Sequence, residues 1–154
     1  MATAPRTDPY PSFNYLIEIS GITSGGFSEA SGLDVEVQPI DYREGKDDFI
    51  PRKLPGLKKV SNIVLKRGII GASPGGLDLY NWLYSAMSGA VIRQDGAIIL
   101  LDETRQRQVL RWSFTRGWAT KLTGPSFKAD GNAIAIESLE IAHESLTIQA
   151  SAGP

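Results

Sequence analysis

The sequence predicts a mainly β fold: two packed antiparallel sheets forming a β-barrel or sandwich, flanked by one α-helix at about 74–88 and carrying a long charged loop or hairpin at about 40–60. Three observations predict it. Stretches of apolar and polar alternation recur along the chain, one stretch alone shifts to three- and four-residue apolar spacing, and charge concentrates in a single proline-punctuated segment. A length of 154 residues suits one domain spanning 1–154, with an extended N-terminal arm over 1–12 and a flexible C-terminus over 150–154.

In chain order, Phe13 to Ser20 places Phe13, Tyr15, Ile17 and Ile19 on one face and Asn14, Glu18 and Ser20 on the other, the signature of a half-buried strand. After the punctuation of Gly21, Gly25 and Gly26, Leu33, Val35 and Val37 alternate with Asp34, Glu36 and Gln38, predicting a strand with one dry and one wet face. Positions 40–59, IDYREGKDDFIPRKLPGLKK, carry ten charges in twenty residues, six basic and four acidic, in a chain that is 21% charged. Ser61 to Gly68 returns to strand character.

Gly76 to Gly89, GLDLYNWLYSAMSG, sets Leu77, Tyr80, Leu83, Tyr84 and Met87 on one helical face, with Ser73–Pro74 as a start signal and Gly89 as a stop. Ala97–Asp102 and Gln108–Thr115 then flank a charged turn and read as a hairpin. Its second arm alternates Leu110, Trp112 and Phe114 with Arg111, Ser113 and Thr115. In the last strand the apolar parity changes between Ile134/Ile136 and Leu139/Ile141. That predicts a β-bulge at Glu137–Ser138, or else a strand buried on both faces.

Reactive chemistry finds little support. The chain has no cysteine, which excludes disulfides, thiolate catalysis and cysteine-ligated metals. The single histidine, His143, is expected to be structural, its ring nitrogens satisfied by backbone or a carboxylate. Glu44, Asp47 and Asp48 lack the acid-polar-acid spacing of a calcium loop, and Lys46 intrudes on them. GASPGG at 71–76 lacks the lysine and Ser/Thr of a phosphate loop. Trp82, Trp112 and Trp118 read as core, and a net charge of −1 argues against a general nucleic-acid binder. No catalytic, cofactor or metal site is predicted. The longest purely apolar run is five residues, Ala97 to Leu101, and the polar start MATAPRTDPYPS has no secretory signal. The expectation is a product made in the cytoplasm without a membrane anchor, able to leave the cell within a particle.

GFSEASGL at 26–33, YREGKDD at 42–48, RKLPGL at 52–57, NIVLKRG at 62–68, LLDE at 100–103 and AIESLEIAHESL at 135–146 together resemble the tail tube proteins of contractile injection systems. These are myophage tails, R-type bacteriocins and extracellular toxin-delivery particles. The resemblance runs from about Phe13 to Ile148. It implies a virion or phage-tail-like particle in which hexameric rings stack into a hollow tube inside a contractile sheath. Baseplate or spike and tube-terminator proteins close the ends, and protein cargo or phage DNA occupies the lumen. It also implies that Tyr42, Arg43, Glu44, Lys46, Asp47, Asp48, Arg52, Lys53, Leu54, Leu57 and Lys58 contact neighbouring subunits within or between rings.

Alternation makes Asp34, Glu36 and Gln38, or Arg111, Ser113 and Thr115, candidates to line the lumen; the other reading is that these faces meet solvent or sheath. Alternatives to the tube are a type VI secretion ring protein, a monomeric β-barrel binding module, and a carbohydrate-active enzyme.

Overall fold

The computed structural model describes residues 8–20, 26–45, 51–71 and 75–150. Among them the alternating stretches form nine strands: β1 (Tyr15–Ile19), β2 (Phe27–Ser31), β3 (Val35–Tyr42), β4 (Arg52–Val60), β5 (Ile63–Gly68), β6 (Gln94–Leu101), β7 (Gln108–Thr123), β8 (Ile136–Ala142) and β9 (Ser145–Ala150). One helix, α1 (Asp78–Met87), lies between β5 and β6.

All pairings are antiparallel, and the longest strand belongs to two sheets. The first half of β7 pairs with β6 and β9, its second half with β8, and the order runs β1-β6-β7-β8-β5-β2 with β9 beside β7. Between the two halves stands Arg116 at φ 52°, its backbone N–H donating to Asp95 Oδ1 at 2.9 Å. The path ends at β1 and β2 without closing, so the fold is a sandwich and the barrel alternative is set aside. The Tyr15 hydroxyl links these two end strands by donating to the Phe27 carbonyl at 2.8 Å. Burial, and secondarily the Glu29 carboxylate, raise the Tyr15 pKa and keep that donor protonated.

Inward residues of both layers make the core: Ile17, Ile19, Ile63, Leu65, Ile98, Phe114, Leu139 and Ile141, capped by Leu79 and Trp82 of α1. Each such side chain contributes about 1.5–3 kcal/mol when fully buried.

Several expectations need correction. The helix starts at Asp78, after a turn in which the Asp78 N–H donates to the Gly75 carbonyl at 3.3 Å; the start signal Ser73–Pro74 lies outside the described residues. Its end agrees, Gly89 following with φ 89°. The buried stripe is Leu79, Trp82 and Ser85, whereas Leu77, Tyr80, Tyr84 and Met87 face outward. Hydrogen bonding explains the choice. Trp82 Nε1 donates to the Ile92 carbonyl at 2.8 Å, and Ser85 Oγ donates to the Trp82 carbonyl at 2.6 Å while accepting from the Ile92 N–H at 3.3 Å. The buried face thus contains a serine that apolar periodicity discounts.

No bulge interrupts Glu137–Ser138, since the β5–β8 register is continuous from Gly68↔Ile136 to Ile63↔Ile141; the irregularity falls on the facing strand β7, between Ala119 and Lys121. Nor is β8 buried on both faces. Leu139 and Ile141 point to the core, while Ile134 precedes the strand and, like Ile136, is exposed. The predicted dry face of β3 is also absent, because Val35 and Val37 are half exposed.

Candidate functional site

β3 and β4 form a two-stranded sheet of their own. This ribbon prolongs the β2–β5 pair: Ser31 faces Val64 across that ladder, and Val35 faces Val60 at the first rung of the ribbon. The interruption falls at Gly32, with φ 85°, where a Cβ would lie 2.0 Å from the Asn62 carbonyl oxygen and no other residue fits. Beyond it the Ser61 N–H donates to the Asp34 carbonyl at 3.3 Å. His143, in the corner between β8 and β9, ties this root to the sandwich. Its Nε2 lies 2.8 Å from the Ser61 carbonyl and its Nδ1 3.0 Å from the Ser145 carbonyl, with the ring tilted against Phe114. Both ring nitrogens address backbone oxygen, which makes His143 a tie between segments.

Along the ribbon, Ile40 pairs with Leu54, Asp41 with Lys53, and Tyr42 with Arg52. An irregularity between Val37 and Pro39 is accommodated by Gly56, where a Cβ would come within 2.7 Å of the Gln38 carbonyl and 2.8 Å of Ile40 Cγ1. Lys53 Nζ forms an ion pair with Asp41, Glu36 stands opposite Lys59, and the Tyr42 hydroxyl donates to Glu44 Oε1 at 3.3 Å. Such exposed pairs contribute about 0–1 kcal/mol each. Val35, Val37, Ile40, Tyr42, Leu54 and Leu57 are all exposed, Leu57 at 74%. A two-stranded hairpin is marginal in water on its own, and this one leaves apolar side chains uncovered on both faces.

The structure brings Tyr42, Arg43, Glu44, Arg52, Lys53, Leu54, Leu57 and Lys58 together on this one projection. Lys46, Asp47 and Asp48 lie outside the described residues. The two candidate lumen sets separate. Asp34 is at the ribbon root, with Glu36 and Gln38 on β3, whereas Arg111, Ser113 and Thr115 occupy the outer face of β7. There Arg111 Nη2 donates to Glu18 Oε2 at 3.2 Å, and Thr115 Oγ1 lies 2.6 Å from Ser145 Oγ. Arg111, Ser113, Thr115 and Glu18 line a groove of about 580 Å³ with Asp95 and Leu16, and Ala97, Ile99 and Leu101 form a second buried cluster.

Sequence reasoning missed Arg67. It is 1% exposed, its Nε donating to Glu137 Oε1 at 2.6 Å and its Nη2 to the carbonyls of Gly75 and Gly76 at 3.0 and 3.2 Å. It therefore fixes the turn that leads into α1. The available signal was alternation, which puts Arg67 on the same face as Ile63 and Leu65.

Comparison with known proteins places these features. Residues 11–147 match the family model of the T4-like virus tail tube protein gp19. A chain of the extended sheath–tube complex of the PVC extracellular contractile injection system superposes with a TM-score of 0.84, at 26% identity over 94% of each chain. A chain from the tube-terminating cap of the anti-feeding prophage gives 0.82, at 26% identity over 97% of each. Hcp1 of Flavobacterium johnsoniae, at 12% identity over 88% of this chain and 96% of that one, with a TM-score of 0.51, shares the fold alone. No curated protein sequence matches. With 137 consecutive positions under one family model and the same sandwich in the contractile-system chains, the protein belongs to the T4-like virus tail tube family.

Proposed function

We propose that this tail tube protein forms hexameric rings that stack into a rigid hollow tube, and that the β3–β4 ribbon is the part of each subunit that grips a neighbour. The observation that carries this reading is the ribbon itself, a two-stranded projection with apolar side chains uncovered on both faces, held at its root by Gly32 and His143. A function exercised by assembly needs interface area and register. Six-fold repetition multiplies contributions that are small for any single pair.

The tube's proposed partners are a contractile sheath around it and terminator and baseplate proteins at its ends. Chains similar to this one occur in a sheath–tube complex, in a sheath/tube terminator and in a baseplate. The working place is then an assembled particle that acts outside the producing cell. Among the described residues no helix is long and apolar enough to cross a membrane. Arg111, Ser113 and Thr115 are the better lumen candidates, since Glu18 balances Arg111 and Asp95 leaves that groove slightly acidic, which limits adhesion of a passing nucleic acid.

Negative-stain microscopy of the purified chain tests the proposal. Rings of six-fold symmetry, alone or stacked, are expected; a stable monomer at every concentration overturns it.

A further inference from the structure

Once Ile134 and Ile136 are removed from the core, they belong to a surface that is exposed among the described residues. Ile69 and Ile70 follow β5, and the Ile69 N–H donates to the Ala135 carbonyl at 3.0 Å, which sets both residues beside the entrance to β8. Ile134 and Ile136 flank that carbonyl, Gly68 pairs with Ile136, and the open side of Gly68 faces Ile134 Cγ2. All four isoleucines are exposed, Ile134 at 79%.

The position of this patch matters as much as its chemistry. The ribbon joins the sandwich at Val60, before β5 begins, and the isoleucines gather where β5 ends. Six residues of strand, about 20 Å, separate the two. One chain therefore carries an uncovered apolar projection at one end of β5 and an uncovered apolar seat at the other. Two different surfaces on one molecule, at opposite ends of one strand, make a heterologous contact when identical copies repeat in one direction, and such contacts propagate.

We infer that the Ile69, Ile70, Ile134 and Ile136 patch is the seat for the β3–β4 ribbon of a second copy of this chain. The inference rests on the tube reading and adds the receiving surface to it. Areas are consistent with the pairing. The exposed fractions of the six ribbon side chains correspond to roughly 600 Å² of apolar surface, within the size that marks an interaction site. Those of the four isoleucines add roughly 400 Å²; the ribbon side chains divide between two faces, so one docking covers part of this total of about 1,000 Å², the size of a weak contact that repetition around a ring multiplies. Leu57, at the ribbon irregularity, is the most exposed apolar residue of the projection, as Ile134 is of the seat.

The absence of cysteine from the sequence makes the test direct. Under oxidation of assembled protein, the double variant Leu57→Cys/Ile134→Cys should give a ladder of covalent multimers, whereas neither single variant should pass beyond a minor dimer. Ile134→Asp, at a site exposed enough to leave far-ultraviolet circular dichroism unchanged, should cut the stacked fraction at least tenfold. Intact tubes without a ladder, normal tubes from Ile134→Asp, or stoichiometric dimers from Leu57→Cys alone, which would mean ribbon on ribbon, each overturn the inference and leave the tube reading standing. A wild-type chain that never forms rings overturns both.

Discussion

At the residue scale the most consequential side chain is one whose role comes from burial. Arg67 spends two of its nitrogens on Glu137 and the Gly75 and Gly76 carbonyls, lies over the Phe27 ring, and has Nη1 buried without a partner among the described residues. Removing one member of a buried ion pair leaves the other charge uncompensated, which costs about 3–5 kcal/mol, whereas replacing both members with well-packed apolar side chains costs less. Glu137→Ala should therefore lower unfolding free energy by roughly 3 kcal/mol or more, and the paired replacement Arg67→Met with Glu137→Leu by less. Urea titration of unassembled protein measures both, and a loss under about 1 kcal/mol for Glu137→Ala would refute the role given to the pair. Arg67 was legible in part. The strand was evident in NIVLKRG and alternation placed position 67 inward, but the carboxylate that makes burial tolerable lies 70 residues away in sequence and has no local signature.

Elements were legible where local chemistry sets them. The β6–β7 hairpin follows from alternation plus a polar turn, and the structure adds that Asp102 organises that turn. Asp102 Oδ1 accepts from the Thr104 hydroxyl at 2.7 Å and from the backbone N–H groups of Gln106 and Arg107 at 3.3 and 3.4 Å. The Thr104 bond, reinforced by the backbone bonds, lowers the Asp102 pKa below its usual value. A depressed carboxylate stabilises the fold above its unfolded pKa, and that contribution is lost as pH falls through the folded value, so the window lies below about pH 4. Asp102→Asn should flatten the acid limb of the melting-temperature profile there and leave the neutral range nearly unchanged. Superimposable acid limbs for variant and wild type would remove Asp102 from that role. Helix and β8 show the limit of such reading. Three- and four-residue spacing identified α1, but two stripes compete for burial, and the bonds of Trp82 and Ser85 decide between them. The parity change in β8 resembles a bulge only if Ile134 and Ile136 face the core; Ile134 precedes the strand and Ile136 points outward from it.

For the whole molecule, charge is arranged so that the ribbon first satisfies itself. Lys53 pairs with Asp41 across the two strands, a contact between positions 12 apart that charge counting alone does not reveal. Lys53→Glu therefore sets two carboxylates side by side within one ribbon before any neighbour is met, and loss of stacking in that variant has two causes. Exchanging the pair, Asp41→Lys with Lys53→Asp, separates them, since the cross-strand attraction is kept and only the pattern presented outward is reversed. If neighbouring subunits read these charges, the exchanged variant should keep the sandwich stability within about 0.5 kcal/mol yet stack poorly, with the defect shrinking as salt rises and screening shortens the reach of surface charge. Arg43→Glu, which leaves the Lys53–Asp41 pair untouched, should show the same salt-relieved defect. Electron microscopy of both variants at low and high salt decides the matter: normal tubes throughout would confine the Asp41–Lys53 pair to holding its own ribbon straight and leave register to the apolar contacts.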